Sequence, residues 1–312
     1  LPAERNLSAL WLEYQLLQDD FYKLYNINQF NRVEDINAGW QLRLRLGFLQ
    51  PWLGADEDGL RLEAEVSKAW QLNNRTWLFS ELAYQQLDWQ QRKQELWHLG
   101  LQVNHQLNTR NSLVGSISAE RGRNLFADEA LYLGGDSGLR AFPLYYQTGN
   151  KSAIASTEYR YITSWHLYQL VDVALAAFVD AGRAWDNPDR TTTIDNDALY
   201  GYGVGIRLLP SHASRGSIIS IDLSKPVTDN PELSGWRWRL IELQCALAPT
   251  TASGFAFSSS SSITASIRCS ASVVCPSKRS TNTGVVLDAR MSPKPSGQST
   301  RTPSMVETRA GA

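Results

Sequence analysis

The chain has 312 residues, of which 43% are hydrophobic and 20% charged, and its formal net charge is −1. A charge so close to zero gives no argument for a nucleic-acid partner, and no apolar run approaches the length of a membrane-spanning helix. Eleven tryptophans and twelve tyrosines suit a barrel with aromatic girdles, although a soluble β-sandwich can carry as many.

The composition changes near residue 245. Residues 1–245 contain all eleven tryptophans and 23 basic against 29 acidic side chains, whereas 246–312 carry seven Lys or Arg against two acids. The second region contains a run of five serines and much Pro, Thr and Gly, so it cannot bury enough apolar surface to offset its ordering entropy. We predict a barrel domain over 1–245 and a disordered tail over 246–312, the latter either a shifted reading frame or a genuine interaction segment.

Alternation of apolar and polar residues recurs along 1–245 far more often than helical spacing, and it marks about twelve strand-like segments. The clearest lie at 40–48, 62–70, 97–103, 153–161, 171–180, 200–208 and 219–223. Their polar faces are rich in Arg, Glu and Gly, and several segments reach about ten residues, longer than usual soluble strands. These features favour a transmembrane antiparallel β-barrel, apolar outside and polar inside, over a soluble sandwich.

The connections support the same fold. Those at 71–75, 108–110, 164–170 and 209–215 are short, whereas those at 122–151, 183–197 and 225–235 are longer. Short periplasmic turns that alternate with longer external loops are typical of outer-membrane barrels. The segment 27–36 breaks this alternation because it is too long for a turn.

The longest connection, 122–151, carries Arg140 in a turn that runs from Gly138 to Phe142. Each of the next two segments places one carboxylate on the face opposite its apolar residues: Glu158 in the first, and Asp180, two residues before Gly182, in the second. If the apolar faces meet lipid, both carboxylates point into the barrel lumen, where a loop folded inward brings Arg140 to them. The fixed fork of a guanidinium suits two carboxylates better than lysine does.

These pieces, in this order, resemble the outer-membrane assembly-factor (bacterial surface antigen) superfamily, which includes BamA-like and TamA-like barrels and the two-partner secretion transporters. In that superfamily a long extracellular loop enters a 16-strand barrel, and its Arg-Gly-Phe or Arg-Gly-Tyr tip contacts acids on inner-wall strands. The resemblance implies an inward-loop cluster that comprises Gly138, Arg140, Phe142, Glu158, Asp180 and Gly182. Ala141 replaces the superfamily's glycine, and a positive backbone angle φ there would cost an alanine energy.

The resemblance also implies a strand count and a function. We count seven strand segments before the loop and five after it, which is twelve of the sixteen strands of a superfamily barrel. The chain would then be the C-terminal part of the barrel, without its first four strands and the periplasmic domains. The implied function is assembly or insertion of outer-membrane proteins, or polypeptide translocation, at the Gram-negative outer membrane, without covalent catalysis, cofactor or metal. The implied partners are unfolded outer-membrane or secreted client polypeptides, outer-membrane lipid and periplasmic accessory proteins. The alternative is a passive pore or a two-partner-type secretion channel.

Three other patterns were open to a functional interpretation. Gly201, Gly203 and Gly205 alternate on one polar face, and we expect them to leave room for the inserted loop. The residues Asp186, Asn187, Asp189, Asp195, Asn196 and Asp197 lack the spacing of a calcium loop and are typical of solvated turns. The histidines His98, His105, His166 and His212 would serve an outer-membrane phospholipase only beside a serine on the lipid-facing wall.

Overall fold

The structure, a computed structural model, describes residues 5–126, 129–186, 197–211, 217–228, 230, 233, 235–244, 263–272 and 287–291. From 242 onward it describes the backbone only. The described residues contain no α-helix, and thus none that is long and apolar enough to cross a membrane. The fold is all-β, as the alternating sequence predicts.

The strands follow the alternating segments of the sequence. They are β1 (Ala9–Gln18), β2 (Phe21–Tyr25), β3 (Val33–Asn37), β4 (Gln41–Leu49), β5 (Gly59–Asn73), β6 (Thr76–Trp89), β7 (Arg92–Gln106), β8 (Asn111–Arg123), β9 (Leu131–Leu133), β10 (Gln147–Gly149), β11 (Lys151–Leu167), β12 (Val171–Trp185), β13 (Leu199–Pro210), β14 (Ser217–Val227), β15 (Arg237–Gln244), β16 (Ile263–Ser272) and β17 (Leu287–Met291). Six strands exceed twelve residues, which is the length a tilted strand needs to cross a bilayer and emerge from it.

One antiparallel sheet contains thirteen of these strands, in the order β15-β14-β13-β12-β11-β8-β7-β6-β5-β4-β1-β16-β17. Most neighbours in the sheet are also neighbours in the chain, because an antiparallel pair needs only a short turn. Four strands lie outside this sheet, in two antiparallel pairs. β2 and β3 form a separate hairpin between β1 and β4, and β9 and β10 pair within the connection between β8 and β11.

The strand count agrees with the predicted number of about twelve. Eleven strands of the large sheet lie before residue 245, and five of them follow the long connection, as predicted. Six precede it instead of the predicted seven. The long segment 27–36, which broke the predicted alternation of loop lengths, overlaps the separate hairpin β2–β3 and does not join the large sheet.

Part of the predicted tail is described. The strand β16 pairs with β1, where Trp11 lies opposite Ser270, and β17 pairs with β16. The other residues of 246–312 lie outside the described part of the chain, so their disorder stays a prediction. Cys245 and Cys275 also lie outside the described residues.

The outer face of the sheet carries a belt of exposed apolar side chains. It includes Leu44, Leu82, Leu99, Leu175, Val179, Val204 and Ile206. Exposed tryptophans such as Trp40, Trp70 and Trp165 lie near strand ends, where aromatic girdles meet the membrane surface. Trp11, Trp77 and Trp89 are instead buried on the inner face, so the tryptophan content reflects packing inside the barrel as well as girdles.

Two elements cover the inner face, one from each end of the barrel. The inward loop, residues 124–150, connects β8 to β11 and enters from what we call the loop end. The turn-end hairpin, residues 19–40 with β2 and β3, enters from the opposite end, where the short turns after β5, β7 and β11 lie. The candidate site lies where the inward loop meets strands β11 to β14.

Candidate functional site: a luminal ion cluster

The tip of the inward loop is a compact backbone turn. Gly134 and Gly138 have φ values of 115° and 98°, which L side chains rarely adopt, and a 3-10 turn over Gly135–Ser137 lies between them. The Gly135 N–H donates to the carbonyls of Leu139 and Phe142, each at 3.1 Å. The turn therefore presents residues 139–142 to the inner wall in one orientation.

Apolar side chains fix the turn against the wall. Leu139, Ala141 and Phe142 are buried together with Leu133 and Ala184, and the Phe142 ring lies 5.2 Å from that of Tyr146. Gly182 leaves room for the loop because it has no Cβ: a Cβ at this position would lie only 3.3 Å from the Leu139 side chain. Of the predicted residues, Gly138, Phe142 and Gly182 thus serve the packing of the loop and do not contact the carboxylates.

Arg140 reaches both predicted carboxylates. Its Nε and Nη2 donate to the two oxygens of Asp180 at 2.9 and 2.7 Å, and its Nη1 donates to Glu158 Oε2 at 2.6 Å. Ser156 Oγ accepts from the same guanidinium at 3.0 Å and donates to Asp180 at 2.7 Å. Bidentate, charge-assisted bonds of this kind are about twice as strong as neutral ones.

The surroundings exclude most water from these bonds. The side chains of Arg140, Glu158 and Asp180 are 13%, 9% and 1% exposed. The guanidinium stacks on the Phe178 ring, 3.4 Å from its centroid, which adds a cation–π contact on the flat face of the ion. Ser224 Oγ also donates to the Arg140 carbonyl at 3.0 Å, so β14 binds the loop backbone.

The wall contributes a second arginine. Arg207 on β13 donates to Glu158 at 2.7 Å and to Asp222 on β14, and Arg160 donates to the other oxygen of Glu158 at 2.7 Å. We call these six residues, Arg140, Glu158, Arg160, Asp180, Arg207 and Asp222, the luminal ion cluster. Three positive and three negative charges balance, which buried ions require.

Sequence reasoning named Arg140, Glu158 and Asp180 but did not assign Arg207 or Asp222 to the cluster. Both are visible in the sequence as charges on the polar faces of their segments. A further signal was the charge count, since one arginine against two buried carboxylates leaves a negative charge that other basic side chains must neutralise. Arg160 lies on the same strand as Glu158, and only the register of β13 against β12 shows that Arg207 reaches Glu158 as well.

Ala141 does not carry the backbone cost that a positive φ would bring, because its φ is not positive. Its side chain is buried, and a Cβ at Gly201 would lie 2.6 Å from the Ala141 Cβ. Gly201 therefore makes room for the loop, while Gly203 makes room for Phe178 and Gly205 for the Arg207–Asp222 pair.

The histidines do not form a lipid-facing serine site among the described residues. His98 Nδ1 lies 3.2 Å from Glu120, and Ser152 Oγ donates to the same carboxylate at 3.3 Å, so Ser152 bonds to the acid and not to the base. His166 does contact a serine, Ser211, at 2.7 Å, but at the exposed turn end, and no described carboxylate orients its other ring nitrogen. His105 contacts Thr76, and His212 lies outside the described residues.

The calcium candidates are only partly described. Asp186 pairs with Lys151 at 2.9 Å, and the Asp197 carbonyl accepts from Gln147 at 2.9 Å. Asn187, Asp189, Asp195 and Asn196 lie outside the described residues. Within the described part of the chain, no group of three or more His, Cys, Asp or Glu is placed to hold a metal ion.

An antiparallel sheet with an apolar outer belt, and with an inward loop bound to its inner wall by a guanidinium, is the architecture that the resemblance to outer-membrane assembly and secretion barrels implies. A family model, the Omp85 superfamily domain, matches residues 21–258. The chain belongs to the Omp85 superfamily, and the resemblance inferred from the sequence is confirmed. Its location is accordingly the outer membrane of bacteria.

A similar protein of known role is the outer membrane transporter CdiB of Dickeya dadantii (strain 3937). It is 30% identical to this chain over 121 residues, which is 39% of this chain and 21% of the transporter. The chain thus matches about a fifth of the length of that relative. At the level of the superfamily, such barrels handle secreted or outer-membrane polypeptides.

Proposed function

We propose that the chain forms part of a barrel that translocates a secreted client polypeptide across the outer membrane. The observation that carries the proposal is the luminal ion cluster, which holds the inward loop against one wall of the barrel. The similarity to an outer membrane transporter supports transport at the level of the superfamily.

The opposite wall supports this role because it is polar and its ion pairs are partly exposed. Arg45 on β4 bonds to Glu13 on β1 and, at 3.1 Å, to Glu63 on β5, and Arg43 pairs with Glu65 at 2.8 Å. The Arg43 and Glu65 side chains are 40% and 35% exposed, against 1–13% for the three central members of the cluster. An extended polypeptide can pass such a wall without leaving unpaired backbone groups in a dry environment.

The second candidate function is assembly or insertion of other outer-membrane proteins. It is favoured by the position of β15 and β17 at the two ends of the strand row. Strand edges pair with extended peptides through main-chain hydrogen bonds, and a client strand would add to the sheet in this way. Periplasmic accessory proteins are further proposed partners for either function.

A reconstituted system tests both candidates. The purified full chain is placed in phospholipid vesicles, and two probes are added separately: a fluorescently labelled, weakly hydrophobic extended polypeptide, and a urea-denatured outer-membrane β-barrel protein. Passage of the first probe is read by its protection from added protease. Folding of the second is read by its heat-dependent shift in gel mobility.

Each outcome selects one function. Protection of the extended probe supports translocation, whereas accelerated folding of the denatured barrel without such protection favours insertion. Ion conductance without either effect would mean a passive pore and would refute the proposal.

A further inference from the structure

The turn-end hairpin crosses the lumen from one wall of the barrel to the other. It leaves the sheet between β1 and β4, yet its tip contacts β11, β12, β13 and β14, which lie on the far side of β5 to β8 in the sheet. A connection that only joined β1 to β4 would need a few residues, because these strands are antiparallel neighbours. Its length therefore serves something other than the connection.

On the near side, one face of the hairpin packs against β5 and β6. Ile27 is buried with Ala69 and Trp77, and the Tyr22 ring lies 5.0 Å from the Trp77 ring in an edge-to-face arrangement. Asn26 Nδ2 donates to the Thr109 carbonyl at 3.2 Å, so the hairpin also contacts the turn between β7 and β8.

On the far side, one aromatic residue anchors the tip. Phe30 is 5% exposed and packs in a cluster with four inward-facing side chains, Ile162, Ala174, Leu209 and Ile218. Arg32 Nη2 donates to the carbonyls of Pro210 and Ser211, each at 2.9 Å, and Asn31 Nδ2 donates to Asp172 at 3.3 Å. Leu209 is two residues from Arg207, so the tip lies directly below the luminal ion cluster.

The hairpin is built as a self-contained unit. β2 pairs with β3 over five residue pairs, and the Glu34 carboxylate accepts the backbone N–H groups of Ile27, Asn28 and Gln29 at 2.9–3.2 Å. Its internal hydrogen bonds are therefore independent of the barrel wall. Withdrawal of the tip would break the Phe30 contacts and a few side-chain bonds, but no strand ladder of the large sheet.

We propose that the turn-end hairpin is a removable plug that closes the lumen at its turn end and that must withdraw from β11–β14 when a polypeptide passes. The gating role rests on the proposed translocation function, whereas the closure itself does not. Phe30 and Arg32 are the anchors, and the side of the lumen next to β11–β14 is where the path opens when they are released.

The test measures ion conductance of the purified full chain in planar bilayers. A tether variant carries Asn31→Cys and Asp172→Cys, with Cys245, Cys269 and Cys275 changed to Ser. A release variant carries Phe30→Ala and Arg32→Ala, and a combined variant carries both sets. The matched control is Phe21→Ala, because Phe21 is 55% exposed on the same hairpin and is absent from the far-side contacts.

We expect the release variant to conduct at least several-fold more than the parent, and the control to conduct as the parent does. The combined variant should be closed when its disulfide is formed and open after reduction. Equal conductance of one folded preparation before and after reduction would overturn the proposal, and this comparison holds even if the release variant alone folds poorly.

The outcome is separable from that of the proposed function, since small ions need no client. Hairpin-dependent conductance without polypeptide passage would refute translocation and leave the plug intact. Passage of the extended probe through the disulfide-locked chain would refute the plug and leave translocation intact.

Discussion

Arg140 is the residue through which the loop and the wall are joined, because one guanidinium serves carboxylates from two adjacent strands. Glu158 and Asp180 lie on β11 and β12, and Ser156, two residues before Glu158 on β11, lies directly opposite Asp180 in the register. The planar fork of donors matches this arrangement, whereas a lysine ammonium would satisfy only part of it. Loss of the arginine removes the ion-pair partner of the buried Asp180, whereas Glu158 keeps its bonds to Arg160 and Arg207.

Arg140→Ala should release the inward loop while the strands stay folded. Removing one partner of a dry ion pair costs about 3–5 kcal/mol, and less where water enters. Phe142, which is 3% exposed in the parent, should become a new chymotrypsin cleavage site, while the heat-dependent gel shift of the barrel persists.

Two comparisons accompany this variant. Arg140→Lys should show intermediate cleavage, since one carboxylate keeps a charged partner. The exposed Arg123→Ala should be cleaved like the parent. Unchanged cleavage at Phe142 in Arg140→Ala would show that the apolar cluster alone holds the loop.

Gly201→Ala should destabilise the seated loop through contact with Ala141. The added Cβ would lie 2.6 Å from the Ala141 Cβ, and overpacking of this kind costs about 1–3 kcal/mol. Ala141→Gly should restore much of that loss in the double variant, because it removes the atom that is in contact. The measurement is a double-mutant cycle on loop cleavage, and purely additive effects would contradict the contact.

The sequence contained the charged residues of the site but not all of their partners. Arg140, Glu158 and Asp180 could be brought together because alternation assigns each carboxylate to a face. The bonds of Arg207 to Glu158 and Asp222 depend on strand register and side-chain reach across three strands. These are tertiary quantities that no local spacing contains.

At the scale of elements, the turn-end hairpin depends on one internal carboxylate. Glu34 is buried and accepts three backbone N–H groups of the segment 27–29, which would otherwise lack partners inside the barrel. Bonds to a charged acceptor contribute about 1.5–3 kcal/mol.

Glu34→Gln should therefore loosen the tip of the hairpin without removing β2 or β3. An amide oxygen carries no full charge, so the three N–H groups are held less strongly. Hydrogen exchange at Ile27, Asn28 and Gln29 should become faster. The exposed Asp35→Asn is the control, and equal exchange in both variants would mean that Glu34 does not organise the tip.

The strands of the wall were predictable because apolar and polar residues alternate along them, whereas the hairpin was not predictable in this way. The segment 27–36 was recognised as too long for a turn, but nothing in its spacing indicates a hairpin that crosses the lumen. Phe30 resembles any other apolar residue in the sequence. Its burial comes from side chains contributed by four other strands, more than 130 residues away along the chain.

At the scale of the whole molecule, the outer belt makes a prediction about orientation in the membrane. Val204 is 54% exposed on the outer face of β13, whereas Ser116 faces the lumen on β8. Val204→Lys should cost about 2–4 kcal/mol of folding free energy if it lies near the bilayer midplane. Ser116→Lys should cost less, because a lysine on the luminal face is not transferred into lipid.

Urea-induced unfolding in phospholipid vesicles compares the two lysine variants with the parent. The same pair in a mild detergent serves as a second reference for the lipid contribution. Equal losses of stability in vesicles would mean that the outer belt does not face lipid, and a larger loss in Ser116→Lys would reverse the assignment of the two faces.

The amino-acid sequence alone determined the all-β class, the strand segments, the two faces of the wall and the superfamily, because each of these follows from alternation or from a short motif within one part of the chain. The tertiary structure decided the second arginine of the cluster, the contact of Ala141 with Gly201 and the hairpin across the lumen. The reason is physical: these contacts join residues whose separation in sequence is large, and only the register and curvature of the assembled sheet bring them within a few ångströms.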